Sequence, residues 1–254
     1  MNQVEQYRAV LRTLEDWDSF LLEESRLPGP RANLELLHAV ADEGQESMFR
    51  RWIRLAPDQA PTNSPQVFLA VCGVVGLGRL LAEGQSEFLS TLRLFASDPR
   101  WRIREGVAMA LQRLGERDMD SLLREMEEWG RGNLLEMRAA AAALCEPRLL
   151  SSKEHVERVL HLLDQITASL LSVPDRKGDD FQALRKGLGY CWSVAVAAYP
   201  DKGKELVEKW FSSTDPDVRW IMKQNLSKNR LLRMDPAWVQ KWTAYLQRGP
   251  LSAR

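Results

Sequence analysis

Apolar residues return every three or four positions along most of the chain. Ile103, Val107, Ala110, Leu111 and Leu114 make one such stripe, the spacing of an amphipathic helix. Strand signals, meaning Val, Ile or Thr alternating with polar residues between hairpin turns, are nearly absent. The pattern predicts helices over 3–24, 31–43, 45–55, 64–82, 86–97, 99–114, 118–130, 133–145, 152–171, 179–199, 201–212, 216–228 and 235–247. Several starts are explicit. Asp98-Pro99, Asp215-Pro216, Asp235-Pro236 and Ser64-Pro65 each place a capping oxygen before a proline that gives up no hydrogen bond at the first helical position.

The helices repeat a motif. "IREGVAMAL" at Ile103, "MRAAAAALC" at Met137, "LRKGLGYCW" at Leu184 and "VRWIMKQNL" at Val218 each put an apolar residue before an arginine near a helix start. The arginines (Arg104, Arg138, Arg185, Arg219) lie 34, 47 and 34 residues apart, and a further helix precedes each. A period of this size with one helical hairpin per unit means a solenoid. Gly106, Ala108, Ala139, Ala140, Gly187 and Gly189 let neighbouring helices approach, and each arginine is expected to reach an Asp or a carbonyl of a neighbouring unit.

The Asp-Pro turn, the [Ile/Val]-Arg step and the small-residue helix resemble the HEAT repeat family over about 86–230. The resemblance implies an all-α, right-handed α-α superhelix of stacked antiparallel hairpins. The expected layout is one domain over 1–254: irregular capping helices over 1–63, HEAT-like repeats over 64–230 and a C-terminal capping helix over 231–254.

Charge adds a direction to this picture. The net charge is zero, which argues against an all-over polyanion-binding surface. Residues 1–48 carry four Lys/Arg against ten Asp/Glu, whereas residues 215–254 carry eight against three. Cys72, Cys145 and Cys191 form no C-x-x-C and sit among small apolar residues, as buried thiols in a reducing compartment would. The N-terminal stretch is amphipathic and acidic rather than a signal peptide, and "VFLAVCGVVGLG" is too short to span a bilayer. A cytoplasmic protein with no membrane contact is expected.

Enzyme signatures are missing: no Gly-rich phosphate loop, no H-E-x-x-H and no G-x-S-x-G occur. His155 and His161 are six apart and do not share a helix face, so neither a metal nor a cofactor is expected. Trp101 and Glu105 do share one, being four apart. With Arg138, Tyr190 and Trp192 on the following hairpins they form a candidate binding surface of aromatic, carboxylate and cation. The alternative is structural: Trp101 covers a seam and Arg138 serves stacking.

"W-R-I-R-E", Trp101 to Glu105, is also similar to the Trp-x-x-x-Asp pair of HEAT-like alkylpurine DNA glycosylases of the AlkD type, with Glu for Asp. "EEWGRGNLLEMRAA" is similar to that family's next repeat. The chain departs from the family at Arg138-Ala139, where two arginines are usual, and at Tyr190 and Ser193, where Trp and Arg are usual. The likeness implies that Glu105 stabilises positive charge on deoxyribose as an alkylated base leaves.

The most basic segment runs from Trp220 to Trp242. Lys223, Lys228, Arg230 and Arg233 cluster there with Trp220, Trp238 and Trp242. They form either a capping repeat with solvated charges or a contact for phosphate or an acidic partner. The reading that follows is a non-catalytic binding or scaffold protein with a protein partner. The alternative is a DNA-binding protein of the alkylpurine glycosylase type, acting on or recognising alkylated bases, with Glu105 as its catalytic residue.

Overall fold

The computed structural model describes residues 2–248, and every regular element among them is helical. The chain divides into two compact units, Met1–Asp118 and Met119–Arg254. The division therefore falls inside the stretch read as continuous repeats. Residues 249–254 of the expected C-terminal cap lie outside the described residues.

The first unit contains α1 (Gln3–Leu11), α2 (Asp18–Glu24), α3 (Leu34–Glu43), α4 (Glu46–Trp52), α5 (Gln66–Ala82), α6 (Phe88–Phe95) and α7 (Trp101–Arg117). Helices α1, α3, α5 and α7 pack in succession as one layer, with α2, α4 and α6 against them. Helix α5 is buried on all sides from Val67 to Gly78, as a helix apolar all round must be. At Gly78 a Cβ would lie 2.4 Å from the Ala110 Cα, so only glycine permits the α5–α7 approach.

The second unit contains α8 (Met119–Trp129), α9 (Leu134–Leu144), α10 (Lys153–Ser169), α11 (Asp179–Ala198), α12 (Pro200–Phe211), α13 (Pro216–Leu226), α14 (Asn229–Met234) and α15 (Pro236–Gln247). Helices α9, α11, α13 and α15 form one layer, and α8, α10 and α12 the other. Each unit is thus a stack of helical hairpins, the all-α solenoid-like arrangement that the repeat pattern predicts.

Several local expectations change. The segment 3–24 is two helices, α1 ending at Leu11 and α2 beginning at Asp18, with Glu15 and Asp16 in the turn between them. Carboxylates oppose the dipole at a helix C-terminus and favour the next N-terminus, where Asp16 accepts from the Asp18 N–H at 3.2 Å. Asp215 caps α13 through the Asp217 and Val218 N–H groups at 3.0 and 3.1 Å, and Asp235 caps α15 through Trp238 at 2.9 Å.

Asp98 does not cap. It takes the backbone N–H of Arg100 at 2.7 Å and both arms of its guanidinium at 2.9 and 2.8 Å. Both side chains are buried, and a buried guanidinium requires a counter-charge, which claims the carboxylate. Ser64 turns back to donate to the Pro61 carbonyl at 2.9 Å instead of capping α5. Between 216–228 and 235–247 the chain forms an additional short helix, α14.

The recurring arginines divide by role. Arg185 pairs with Asp217 of the next hairpin at 2.8 Å, and Arg219 donates to the Leu246 carbonyl at 2.8 Å, as stacking requires. Arg104 instead donates to the Asp98 and Pro99 carbonyls at 2.7 and 3.2 Å, within its own turn. No helix among the described residues is long and apolar enough to cross a membrane.

Candidate binding surface

In the first unit, the start of α7 is held by two arginines. Arg100 donates to the Leu55 and Ala60 carbonyls, and Arg102 to those of Thr62 and Gly29. Trp101, between them, is 44% exposed, with the Arg102 guanidinium 4.3 Å from its ring centroid. Glu105 is exposed one turn on, so the Trp-x-x-x-acid pair does share a solvent-facing stripe.

The second unit holds the remaining residues of the expected surface. The Arg138 stem on α9 lies beside Gly187 of α11, where a Cβ would meet its Cγ at 3.5 Å. On the other side of α11, a Cβ at Gly189 would meet the Trp220 ring of α13 at 3.1 Å. Between these two seams Lys186 and Tyr190, one turn apart, face solvent. Tyr190 is 43% exposed. Arg230 of α14 donates to its hydroxyl and lies 4.6 Å from its ring centroid.

Trp192 does not belong to this surface. It is fully buried and donates from Nε1 to the Thr167 hydroxyl at 3.0 Å, joining α11 to α10. Two residues along a helix is a rotation of about 200°, so Tyr190 and Trp192 face opposite ways. Arg138 and Tyr190 belong to the second unit, and Trp101 and Glu105 to the first.

The basic segment separates into cations and core. Lys223 and Arg233 are exposed, and Lys228 and Arg230 half-buried. Trp238 and Trp242 both donate to Glu208, at 2.7 and 3.3 Å, and pack against Phe211, closing the last hairpin. Trp220 lies under the Arg185 guanidinium at 3.9 Å. Near it, Arg176 bridges Asp215 and Asp217. Burial pushes the Asp215 carboxyl up, but the Val218 N–H and the Arg176 guanidinium outweigh it and hold the group below its ordinary value.

Two features escape a sequence reading. Lys186 was identifiable only by its register with Tyr190. Asn225 looks like an ordinary polar residue of α13, yet it is buried: it accepts from the Ser193 N–H and donates to the Leu188 carbonyl, both at 2.8 Å. It fixes α13 against the backbone of α11 and so sets where Trp220 and Lys223 emerge.

His155 lies 3.4 Å from Asp120, and His161 3.8 Å from Glu157. No group of three or more His, Cys, Asp or Glu among the described residues is arranged to hold a metal ion. The three cysteines are free and buried, and burial pushes the Cys72 and Cys145 thiols well up. Comparison with family models, curated proteins and solved structures gives no match.

Proposed function

We propose that the chain is a non-catalytic HEAT-like binding protein whose partner-facing surface is the α9–α11–α13 layer of the second unit. The observation that carries this reading is the Tyr190–Arg230 pair, an exposed ring and a guanidinium ordered on each other across forty residues of sequence. Exposed aromatic and arginine side chains held in place before binding are typical anchors of protein interfaces. A protein partner in a reducing compartment such as the cytoplasm agrees with the three free, buried thiols.

The test is a photo-crosslinking amino acid in place of Ala183, which lies on the α11 stripe with Lys186 and Tyr190. A discrete adduct from position 183, absent when the same group replaces exposed Gln165 of α10, supports the surface. Equal labelling from both positions, or from neither, overturns it.

The second reading is recognition or excision of alkylated bases in DNA, favoured by Trp101 and Glu105 sharing an exposed stripe. It requires methylated purine to be released from alkylated DNA and Glu105→Gln to abolish that release while sparing binding. No release together with no DNA binding at low salt removes it.

A further inference from the structure

Five cations of the second unit lie on or beside α11, α13 and α14. Lys186, Lys223, Lys228, Arg230 and Arg233 pair with no carboxylate among the described residues, although Arg185, Arg176 and Lys204 nearby are all paired. Lys186 stands one turn from Tyr190 on α11 and Arg230 of α14 bonds to it, while Lys223 lies on α13, Lys228 just before α14 and Arg233 on α14. Lys186 and Arg230, held beside Tyr190 without a carboxylate partner among the described residues, form a local positive field that an anionic partner can neutralise.

The Tyr190–Arg230 pair says what kind of anion fits. Because the Tyr190 oxygen accepts from Arg230, its own proton remains to be donated. The planar guanidinium, 4.6 Å from the ring centroid, keeps further N–H groups to donate. A carboxylate there takes one bond from the phenol and one or two from the guanidinium. Lys186, one turn from Tyr190 on α11, and Lys223 on the neighbouring α13 are exposed to meet further acidic side chains.

The same geometry speaks against a nucleic-acid strand. Both aromatic rings of this surface already carry a guanidinium, Arg230 on Tyr190 and Arg185 on Trp220, where a base would stack.

We infer that this surface binds an acidic protein segment, with an Asp or Glu carboxylate bridging Tyr190 and Arg230 and flanking acids meeting Lys186 and Lys223. The inference rests on the binding-protein reading and adds the chemistry of the partner.

The experiment is fluorescence anisotropy of the full chain with three labelled probes: a short Asp/Glu-rich peptide, its Asn/Gln counterpart and a single-stranded oligothymidylate. The acidic peptide should bind, the amide peptide should not, and affinity should fall as salt rises from ~50 to ~200 mM. Arg230→Lys keeps the charge but loses the planar fork, and should weaken peptide binding about tenfold. Tyr190→Phe should weaken it about three- to tenfold through the lost donor. Lys223→Gln, on an exposed side chain, should weaken it without affecting folding. Equal binding of both peptides, an unchanged affinity in all three variants, or tighter binding of the oligothymidylate each overturns the proposal. If the acidic peptide fails to bind while position 183 still gives a specific adduct, the partner chemistry alone is wrong. If both fail, the binding surface itself is wrong.

Discussion

Trp210 donates its indole N–H to Asp164 at 2.9 Å while Lys209, the preceding residue, pairs with the same carboxylate at 2.7 Å. The arrangement recurs in the first unit, where Trp52 donates to Asp18 at 2.9 Å and Arg51 pairs with that carboxylate at 2.7 Å. A variant of it closes the second unit, where Trp242, preceded by Lys241, donates to Glu208 at 3.3 Å. The acid-to-Trp separations of 34, 46 and 34 residues follow the period of the recurring arginines. In the first two cases a basic-Trp pair, and in the third the indole alone, ties one hairpin to an acid on an earlier one.

These clamps should contribute measurably to stability. Trp52→Phe keeps most of the buried ring but removes the donor to Asp18, which Arg51 still holds, and should cost about 0.5–1.5 kcal/mol in urea unfolding, the net worth of one hydrogen bond. A change within error would make the clamp idle.

The recurring arginines should differ in weight. Arg185 both pairs with Asp217 and stacks on Trp220, and its half-buried guanidinium ties α11 to α13. Arg185→Ala should cost about 2–3 kcal/mol, and Arg104→Ala, which frees carbonyls near solvent, about 1 kcal/mol. The reverse order in denaturant titrations would mean that the turn at Asp98, rather than the hairpin contact, is the stronger constraint.

Acid should weaken the first unit through Glu43. The Arg12 guanidinium, opposed by burial and aided by Arg8, lowers its carboxyl to about 2. A carboxylate depressed in the folded state stabilises above its unfolded pKa and loses that contribution as pH falls through the folded one. The loss should therefore run from about pH 4.5 down to about pH 2. Glu43→Gln should flatten this part of the stability profile, with little change in its slope above pH 5. An unaltered acid limb would show that the Arg8–Glu43–Arg12 cluster does not govern it.

The helices and their hairpin period were legible because both depend on apolar spacing and turn chemistry, which are local. What the sequence concealed depends on third parties. Asp98 reads as a cap until Arg100 is buried beside it and takes the carboxylate. Trp192 and Tyr190 read alike, and only the packing of α10 assigns one to the core and the other to the surface. Arg230 was visible as one charge in a basic run, but its engagement with Tyr190 spans forty residues and no spacing rule reaches that far.

The most direct test of the proposed surface is an amide NMR titration of the full chain with the Asp/Glu-rich peptide. The account predicts shifts that cluster at Lys186 and Tyr190, at Trp220 to Gln224 and at Lys228 to Arg233, with the amides of Trp101 and Glu105 unmoved. Shifts centred on Trp101 and Glu105, or none at peptide concentrations that saturate anisotropy, would contradict it.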